Sequence, residues 1–261
     1  MDHGGIFTGE RLLAHDPLFA ADFGRHLKAY QFAQETVRGR RVLDAGCGDG
    51  YGTDLLAQTA RHALGVDRSA ATVAVAARRY HRANLDYRVC DLDRLSDLGE
   101  SFDVVCNFQV IEHLPDPRPF LRQVRQILAP GGCLIITTPN RLQSLVENPY
   151  HVHEYVGSEL ALLLGEVFAQ VEVRGVCPNE RAMAYDRARA ARATRILRLD
   201  PLGLRHRLPR GLIEWAYPKL ARLVRRQVAG AGGNAPTITS ADFTIESAVD
   251  GCLDLLAICR A

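Results

Sequence analysis

Several absences narrow the reading of this 261-residue chain before any motif is considered. It has no run of about 18 consecutive apolar residues, which argues against a membrane-spanning helix. The opening Met1-Asp2-His3-Gly4-Gly5 lacks the basic-then-apolar order of a secretory signal, so the expectation is a protein neither exported nor stably inserted in a membrane. An excess of one charge is also missing: 32 Lys and Arg against 30 Asp and Glu leave +2, too little to argue for nucleic acid on global electrostatics. The seven cysteines, at 47, 90, 106, 133, 177, 252 and 259, include no CxxC pair, and most lie in apolar runs that read as strands. Structural zinc and a disulfide framework are both disfavoured on that ground, and a reducing cytoplasm is the expected setting. No internal repeat is found.

What is present is ordinary globular composition, 47% apolar and 24% charged, in a chain long enough for a full core. Between residues 41 and 140, short apolar runs rich in β-branched residues alternate with longer segments of helical character, the pattern of a parallel sheet covered by helices. Strands are predicted at 41–44, 62–67, 86–90, 102–107, 132–138, 167–176 and 253–259. Helices are predicted at 52–60, 69–80, 117–128 and 158–165. In the third, Phe120, Leu121, Val124, Ile127 and Leu128 share one face, and Pro130-Gly131-Gly132 stops it. From 179 to 226 the chain is rich in Arg and Ala with apolar residues at helical spacing, and 230–240 reads as a mobile loop. The expected division is therefore a main domain of 1–178 with 241–261, and a helical, Arg-rich cap insertion with its loop at 179–240.

After the first strand, glycines at 46, 48 and 50 let the backbone bend sharply and leave room for a ligand to approach the main chain. Dinucleotide enzymes use a similar turn. Asp44, two positions before the first glycine, discriminates: a carboxylate there repels a pyrophosphate and can engage an ammonium, which favours S-adenosylmethionine over NAD. A dehydrogenase would also need G-x-G-x-x-G, and Tyr51 stands where its third glycine belongs. The second strand ends in Gly65-Val66-Asp67, a carboxylate placed to accept bonds from ribose hydroxyls.

With Cys90-Asp91 and Phe102-Asp103-Val104-Val105 following in order, the sequence resembles the class I methyltransferases from about residue 26 to 176, with the final strand added. The resemblance implies an α/β fold with a Rossmann-like, seven-stranded, mostly parallel sheet, helices on both faces and a helical insertion before the last strand. It also implies that Gly46, Cys47 and Gly48 line the methionine part of S-adenosyl-L-methionine, with Asp67 on the ribose. Arg68 would cover the adenine, Asp91 with Leu92 would face its amino edge, and the Asn107-Phe108 backbone would run beside the sulfonium. A solvated loop pair is the alternative for Arg68 and Asp91. A narrower resemblance, carried by 26–33, Gly50-Tyr51-Gly52, Thr138-Pro139-Asn140-Arg141 and 148–155, is to a bacterial subgroup linked with polysaccharide or glycosylated natural-product pathways. There Tyr30 would close over the cofactor from an N-terminal helix, with a packed core tyrosine as the alternative.

Methyl transfer is an in-line displacement, and an oxygen nucleophile needs a base or a metal where an amine needs alignment alone. Two segments offer bases. Ile111-Glu112-His113-Leu114 follows the fourth strand, where His113 is either beside the methyl group or a cap and packing residue. His151-Val152-His153-Glu154 follows the fifth. His151 and Glu154 match the subgroup pattern, whereas His153 stands where an arginine is more typical. His151 is therefore the expected general base, with Glu154 as its orienting partner or a substrate ligand. A metal at His-x-His-Glu would require an extended backbone and a third contribution the sequence does not identify, so no metal ligands are assigned.

The resulting expectation is O-methylation of a small acceptor such as a sugar, glycolipid or secondary-metabolite intermediate. The alternatives are N-methylation of a small amine or sugar and, with less support, RNA methylation or non-catalytic nucleoside binding. Arg181, Arg187, Arg189, Arg192, Arg195, Arg198, Arg205, Arg207 and Arg210 either form a solvated face partnering acids elsewhere or recognise an anionic acceptor. No aromatic stacking platform accompanies them, so nucleic acid is not expected as a partner.

Overall fold

The computed structural model describes residues 17–144, 148–197, 217, 219–227 and 238–260. Among the described residues eight strands form one mixed sheet: β1 (Arg41–Ala45), β2 (His62–Asp67), β3 (Leu85–Val89), β4 (Phe102–Phe108), β5 (Leu128–Pro139), β6 (Gln170–Pro178), β7 (Phe243–Glu246) and β8 (Asp254–Arg260). Their order is β3-β2-β1-β4-β5-β8-β6-β7. The first five run parallel, and β8 pairs antiparallel with both β5 and β6. The chain moves outward in one direction through β2 and β3 and then returns to β4 on the other side of β1. That reversal opens a crevice at the carboxyl ends of β1 and β4, where open α/β sheets bind ligands.

Helices cover both faces. On one, α1 (Ala20–Val37) and α2 (Tyr51–Ala57) bury Tyr30, Ala33, Val37 and Leu56 against Val42, Val104 and Ile135 of the sheet. On the other, α4 (Arg118–Ile127) and α5 (Gly157–Gly165) bury Phe120, Leu121, Val124 and Leu160 against Leu43, Val105 and Leu134. Residues 42–45 are all buried, so neighbouring side chains face opposite helical layers and the strand shows no alternation of buried and exposed positions, with Asp44 buried among its apolar neighbours. The face predicted for the third helix is borne out at Phe120, Leu121, Val124 and Ile127 of α4, while Leu128 already begins β5, and Gly131 takes the positive φ (75°) expected of the closing turn. The helix α3 (Ala70–Arg79) begins at Ser69, whose hydroxyl accepts the Thr72 N–H. No described helix is long and apolar enough to cross a membrane.

Two expectations are corrected. The sheet has eight strands rather than seven: β7 is a four-residue edge strand pairing antiparallel with β6, too short to carry a periodic signal. Two strands therefore follow the Arg-rich segment, which lies between β6 and β7. Within that segment α6 (Glu180–Leu197) and residues 219–227 are helical. The proposed mobile loop lies mostly outside the described residues.

The second correction concerns cysteine. Cys177, near the end of β6, is joined by a disulfide to Cys252, in the turn before β8. The two lie 75 residues apart, and spacing gave no sign of the pair. Antiparallel pairing of β6 with β8 brings them together, with the Leu253 N–H donating to the Val176 carbonyl. Gly175 leaves the room: a Cβ there would fall 2.4 Å from the Cys252 Sγ.

Thiol titration of the denatured, unreduced chain is expected to return the five cysteines 47, 90, 106, 133 and 259, with mass mapping of one peptide joining Cys177 to Cys252. Seven reactive thiols would refute the pairing. Phe120→Ala, which empties a fully buried ring site between α4 and the sheet, should lower urea-unfolding stability by about 3–5 kcal/mol.

Candidate active site

The turn after β1 is built by three glycines with positive φ, Gly46 at 88°, Gly48 at 55° and Gly50 at 90°. The N–H groups of Gly46 and Cys47 both donate to the Val66 carbonyl at 2.8 and 2.9 Å, which ties the turn to the end of β2. A side chain at Gly46 would strike Val110, whereas a Cβ at Gly48 would meet nothing within 4 Å. The open face of the turn is therefore at Gly48.

Asp44 lies directly beneath this turn and is 1% exposed. Its carboxylate accepts from the Thr53 hydroxyl at 2.7 Å and the Tyr30 hydroxyl at 3.2 Å, both uncharged donors. Burial pushes its pKa up to about 6; these bonds oppose the shift, and the nearby Asp67 adds to it. An acid held so far from water with only neutral partners is a place prepared for a cation. Tyr30 is placed as a packed residue behind Asp44, its ring edge-on to Phe108 at 4.6 Å and to Tyr51 at 5.5 Å. Gly52 lies flat against that ring, where a Cβ would come within 1.9 Å of it.

The remaining predicted cofactor residues line the same edge. Asp67, half-buried at the tip of β2, accepts the Ser69 N–H at 2.8 Å. Asn107 is fully buried: its amide donates to the Ala45 carbonyl at 2.7 Å, while its Oδ1 has no hydrogen-bond partner among the described residues. Arg68 and Asp91 are exposed and Leu92 is half-buried, with Asp91 capping a 3₁₀ turn through the Asp93 N–H. A ligand carrying an ammonium and a sugar diol fits this edge, since Asp44 has no cationic neighbour among the described residues, Gly48 faces open space and Asp67 stands one strand away.

The catalytic candidates converge from two loops. His113 donates through Nδ1 to the Tyr150 carbonyl at 2.9 Å, so its lone pair is on Nε2. His151 lies 2.5 Å through Nδ1 from Glu154 Oε1. Although burial opposes ionisation of Glu154, hydrogen bonds from His151 and Ser144 hold its carboxyl below the usual range. Nδ1 of His151 therefore carries the proton, and its Nε2 accepts from the Asn148 amide at 2.8 Å. The Asn148 orientation is fixed in turn, because its Oδ1 accepts the Tyr150 N–H. The two imidazole rings meet edge-on at 5.1 Å. His153 points elsewhere, exposed beside Glu159 at 3.6 Å and stacked edge-on to Tyr155.

Several residues of this edge were not anticipated. Glu112, one residue before His113, is buried; its Oε2 accepts from Thr138 at 3.1 Å and burial pushes its pKa up to about 8. Gln109 has φ 57°, a left-handed conformation of the kind that collects at functional sites in non-glycine residues. Arg25 of α1 pairs with buried Asp254 at 3.1 Å. Glu112, Gln109 and Asp254 have no sequence signal beyond lying near a strand end, and Arg25, within α1, has none.

Three described arginines of the insertion are engaged by acids. Arg181 bonds Asp242 at 3.0 Å through Nε; Arg189 reaches Asp186 at 2.5 Å and Asp22 at 3.6 Å; Arg225 meets Asp22 at 2.6 Å. Burial opposes ionisation of Asp22, but Arg225, Arg189 and Arg25 together hold its carboxyl well below the usual range. Arg187 and Arg195 are exposed and Arg192 half-exposed. Arg198, Arg205, Arg207 and Arg210 lie outside the described residues.

Comparison with known proteins agrees with this geometry. The methyltransferase-domain family matches residues 43–136. A Mycobacterium tuberculosis protein named "Probable S-adenosylmethionine-dependent methyltransferase" is 33% identical over 268 residues, spanning 96% of this chain and 88% of its own. The ubiquinone biosynthesis O-methyltransferase of Cereibacter sphaeroides is 37% identical over 124 residues, 47% of this chain and 49% of that protein. Among solved structures, a methyltransferase of Thermotoga maritima, named as a possible histamine N-methyltransferase, superposes with a TM-score of 0.60 at 15% identity, covering 97% of each chain. That likeness concerns the fold alone; the full-length sequence match carries the assignment. The chain belongs to the S-adenosylmethionine-dependent methyltransferases.

Proposed function

We propose that this enzyme O-methylates a small, hydroxyl-bearing acceptor of the sugar, glycolipid or secondary-metabolite kind, with His151 as general base. One observation carries the reading: the His151–Glu154 pair, whose ionised carboxylate fixes the imidazole as a proton acceptor at Nε2 beside His113. An amine acceptor in its neutral form would need no such device, and an oriented base favours oxygen over nitrogen. The Cereibacter sphaeroides relative, named as an O-methyltransferase, is in keeping with this. Since Asp22, Asp186 and Asp242 engage Arg181, Arg189 and Arg225, an uncharged glycosylated acceptor is favoured over an anionic one. Neither nucleic acid nor a membrane has a part in this reading. In it, α6 and residues 219–227 belong to a cap beside the acceptor, and 1–178 with 241–261 is the cofactor-binding domain.

When bound, S-adenosylmethionine supplies an electrophilic methyl group on a sulfonium. Asp44 holds the ligand's ammonium, Asp67 accepts from its ribose hydroxyls, and Gly46, Cys47 and Gly48 line its methionine part. Arg68, Asp91, Leu92, Asn107 and Phe108 border the rest of the site. At the acceptor, an entering hydroxyl displaces the Asn148 amide from His151 Nε2 and gives its proton to that nitrogen. Glu154 stabilises the imidazolium that results, and His113 presses against the ring and limits its rotation.

His151→Ala should lower turnover by about 10²–10⁴-fold with S-adenosylhomocysteine affinity retained, measured under conditions where chemistry limits the rate. Near-normal turnover would remove His151 from this role. Calorimetric titration with S-adenosylhomocysteine should also depend on pH through Asp44. The free carboxyl ionises near pH 6, and a ligand ammonium favours its anion, so binding expels a proton below that pH. Affinity is expected to be level above neutrality and to fall by up to about tenfold per unit as pH drops through 6. Asp44→Asn should flatten this slope and weaken binding by roughly 10–100-fold, the worth of a charged hydrogen bond.

A further inference from the structure

We propose that Glu112, His113 and His151 form a site for one divalent first-row transition-metal cation. One donor atom from each of the three lies within 4.8 Å of the others, and the three come from the turn after β4 and the loop after β5. Of the His-x-His-Glu residues, to which the sequence assigned no metal, only His151 belongs to the group: His153 turns out to Glu159, and the other two donors come from nearly forty positions earlier.

The surrounding bonds are those that prepare ligands. Each imidazole gives its Nδ1 proton to an oxygen, the Tyr150 carbonyl for His113 and the Glu154 carboxylate for His151, which puts both lone pairs on Nε2. Carboxylate- or carbonyl-anchored histidines of this kind are the usual outer partners of a metal site. The third donor, Glu112, is 1% exposed; Thr138 bonds its Oε2, while its Oε1 is buried with no hydrogen-bond partner among the described residues. A Glu112 carboxyl oxygen and one ring nitrogen of each histidine thus lie close together, with Glu112 Oε1 buried and without a hydrogen-bond partner among the described residues, and a cation among them would be held by three bonds. Bonds of about 2.0–2.2 Å need donors roughly 3–3.5 Å apart, so the ion would draw the cluster together by side-chain rotation and displace Asn148 from His151. Two imidazoles and one carboxylate leave coordination positions open, the arrangement that suits manganese, iron, cobalt or zinc.

What the ion does rests on the O-methylation reading. An acceptor hydroxyl that takes an open position is acidified and loses its proton to solvent water, and the charge of the ion does not change. In the metal-bound enzyme the ion takes over the part that the metal-free site gives to His151 as base: His151 acts on the hydroxyl through the metal, and Glu154 becomes a positioning residue.

The test uses the full chain, stripped with a chelator and titrated with Mn²⁺, which thiols do not favour, the free ion being followed by electron paramagnetic resonance. Co²⁺ is the second probe, read from its visible absorption. One equivalent should bind, with affinity at least tenfold weaker in His113→Ala, His151→Ala and Glu112→Gln. Glu154→Gln should weaken it by roughly 10–100-fold and His153→Ala should leave it unchanged. Circular dichroism checks that each variant is folded, and His113→Ala, whose side chain is only half-buried, serves if Glu112→Gln is not. No binding of either ion at 100-fold excess, or binding indifferent to His113→Ala, overturns the site. Absence of binding together with a turnover defect in His151→Ala discards the metal and keeps the base. A bound ion together with normal turnover in His151→Ala keeps the site and discards the proposed chemistry.

Discussion

Keeping a carboxylate out of water with only hydroxyls for company is costly, and Asp44 is kept in that state at the tip of β1. Much of the surrounding structure is arranged about it. The α1 helix brings Tyr30, the first turn of α2 brings Thr53, Gly52 admits the tyrosine ring, and the three glycines bend the chain away so that the space above stays open. In the proposed function a cationic ligand offsets that cost, and the site discriminates by charge as well as by shape. A pyrophosphate brought to the same turn would meet repulsion where a sulfonium nucleoside with its ammonium meets attraction.

The parallel sheet supplies the second constraint. Because β1, β2, β4 and β5 run in the same direction, their carboxyl ends present four loops to one edge. In the proposed function the turn after β1 and the tip of β2 form the cofactor side and the turns after β4 and β5 the reacting side; Glu112, His113 and His151 meet at those latter turns. Asn107 links the halves, its amide bonded to the Ala45 carbonyl across the crevice between β4 and β1. Chemistry is thereby placed on loops held by a rigid sheet, and the acceptor can change while the cofactor side stays the same.

Beyond that edge the chain is secured by interactions between distant segments. Asp22 of α1 gathers Arg189 and Arg225 from the insertion, and Arg25 reaches Asp254 at the start of β8. These pairs bind the insertion to the N-terminal helix and use charges that, in the sequence alone, could equally have faced a phosphate. The disulfide between Cys177 and Cys252 ties β6 to the turn before β8 in the same region. Charge composition was silent on all of this, since each arginine's role depends on which acid lies beside it.

The sequence by itself determined the order of strands and helices through β5, the glycine turn, and the acids Asp44 and Asp67 at two strand tips. Each of these is local: it depends on apolar periodicity, on backbone conformations open to glycine, or on a residue's distance from a strand end. It also supplied His113, His151 and Glu154 as candidates, though not their association. Only the tertiary structure decided that His153 leaves while Glu112 enters, that β7 adds an eighth strand, that two scattered cysteines meet, and that Tyr30 supports Asp44 from behind. Those outcomes depend on contacts between segments tens of residues apart, which are set by how strands pair and loops converge and have no period along the chain.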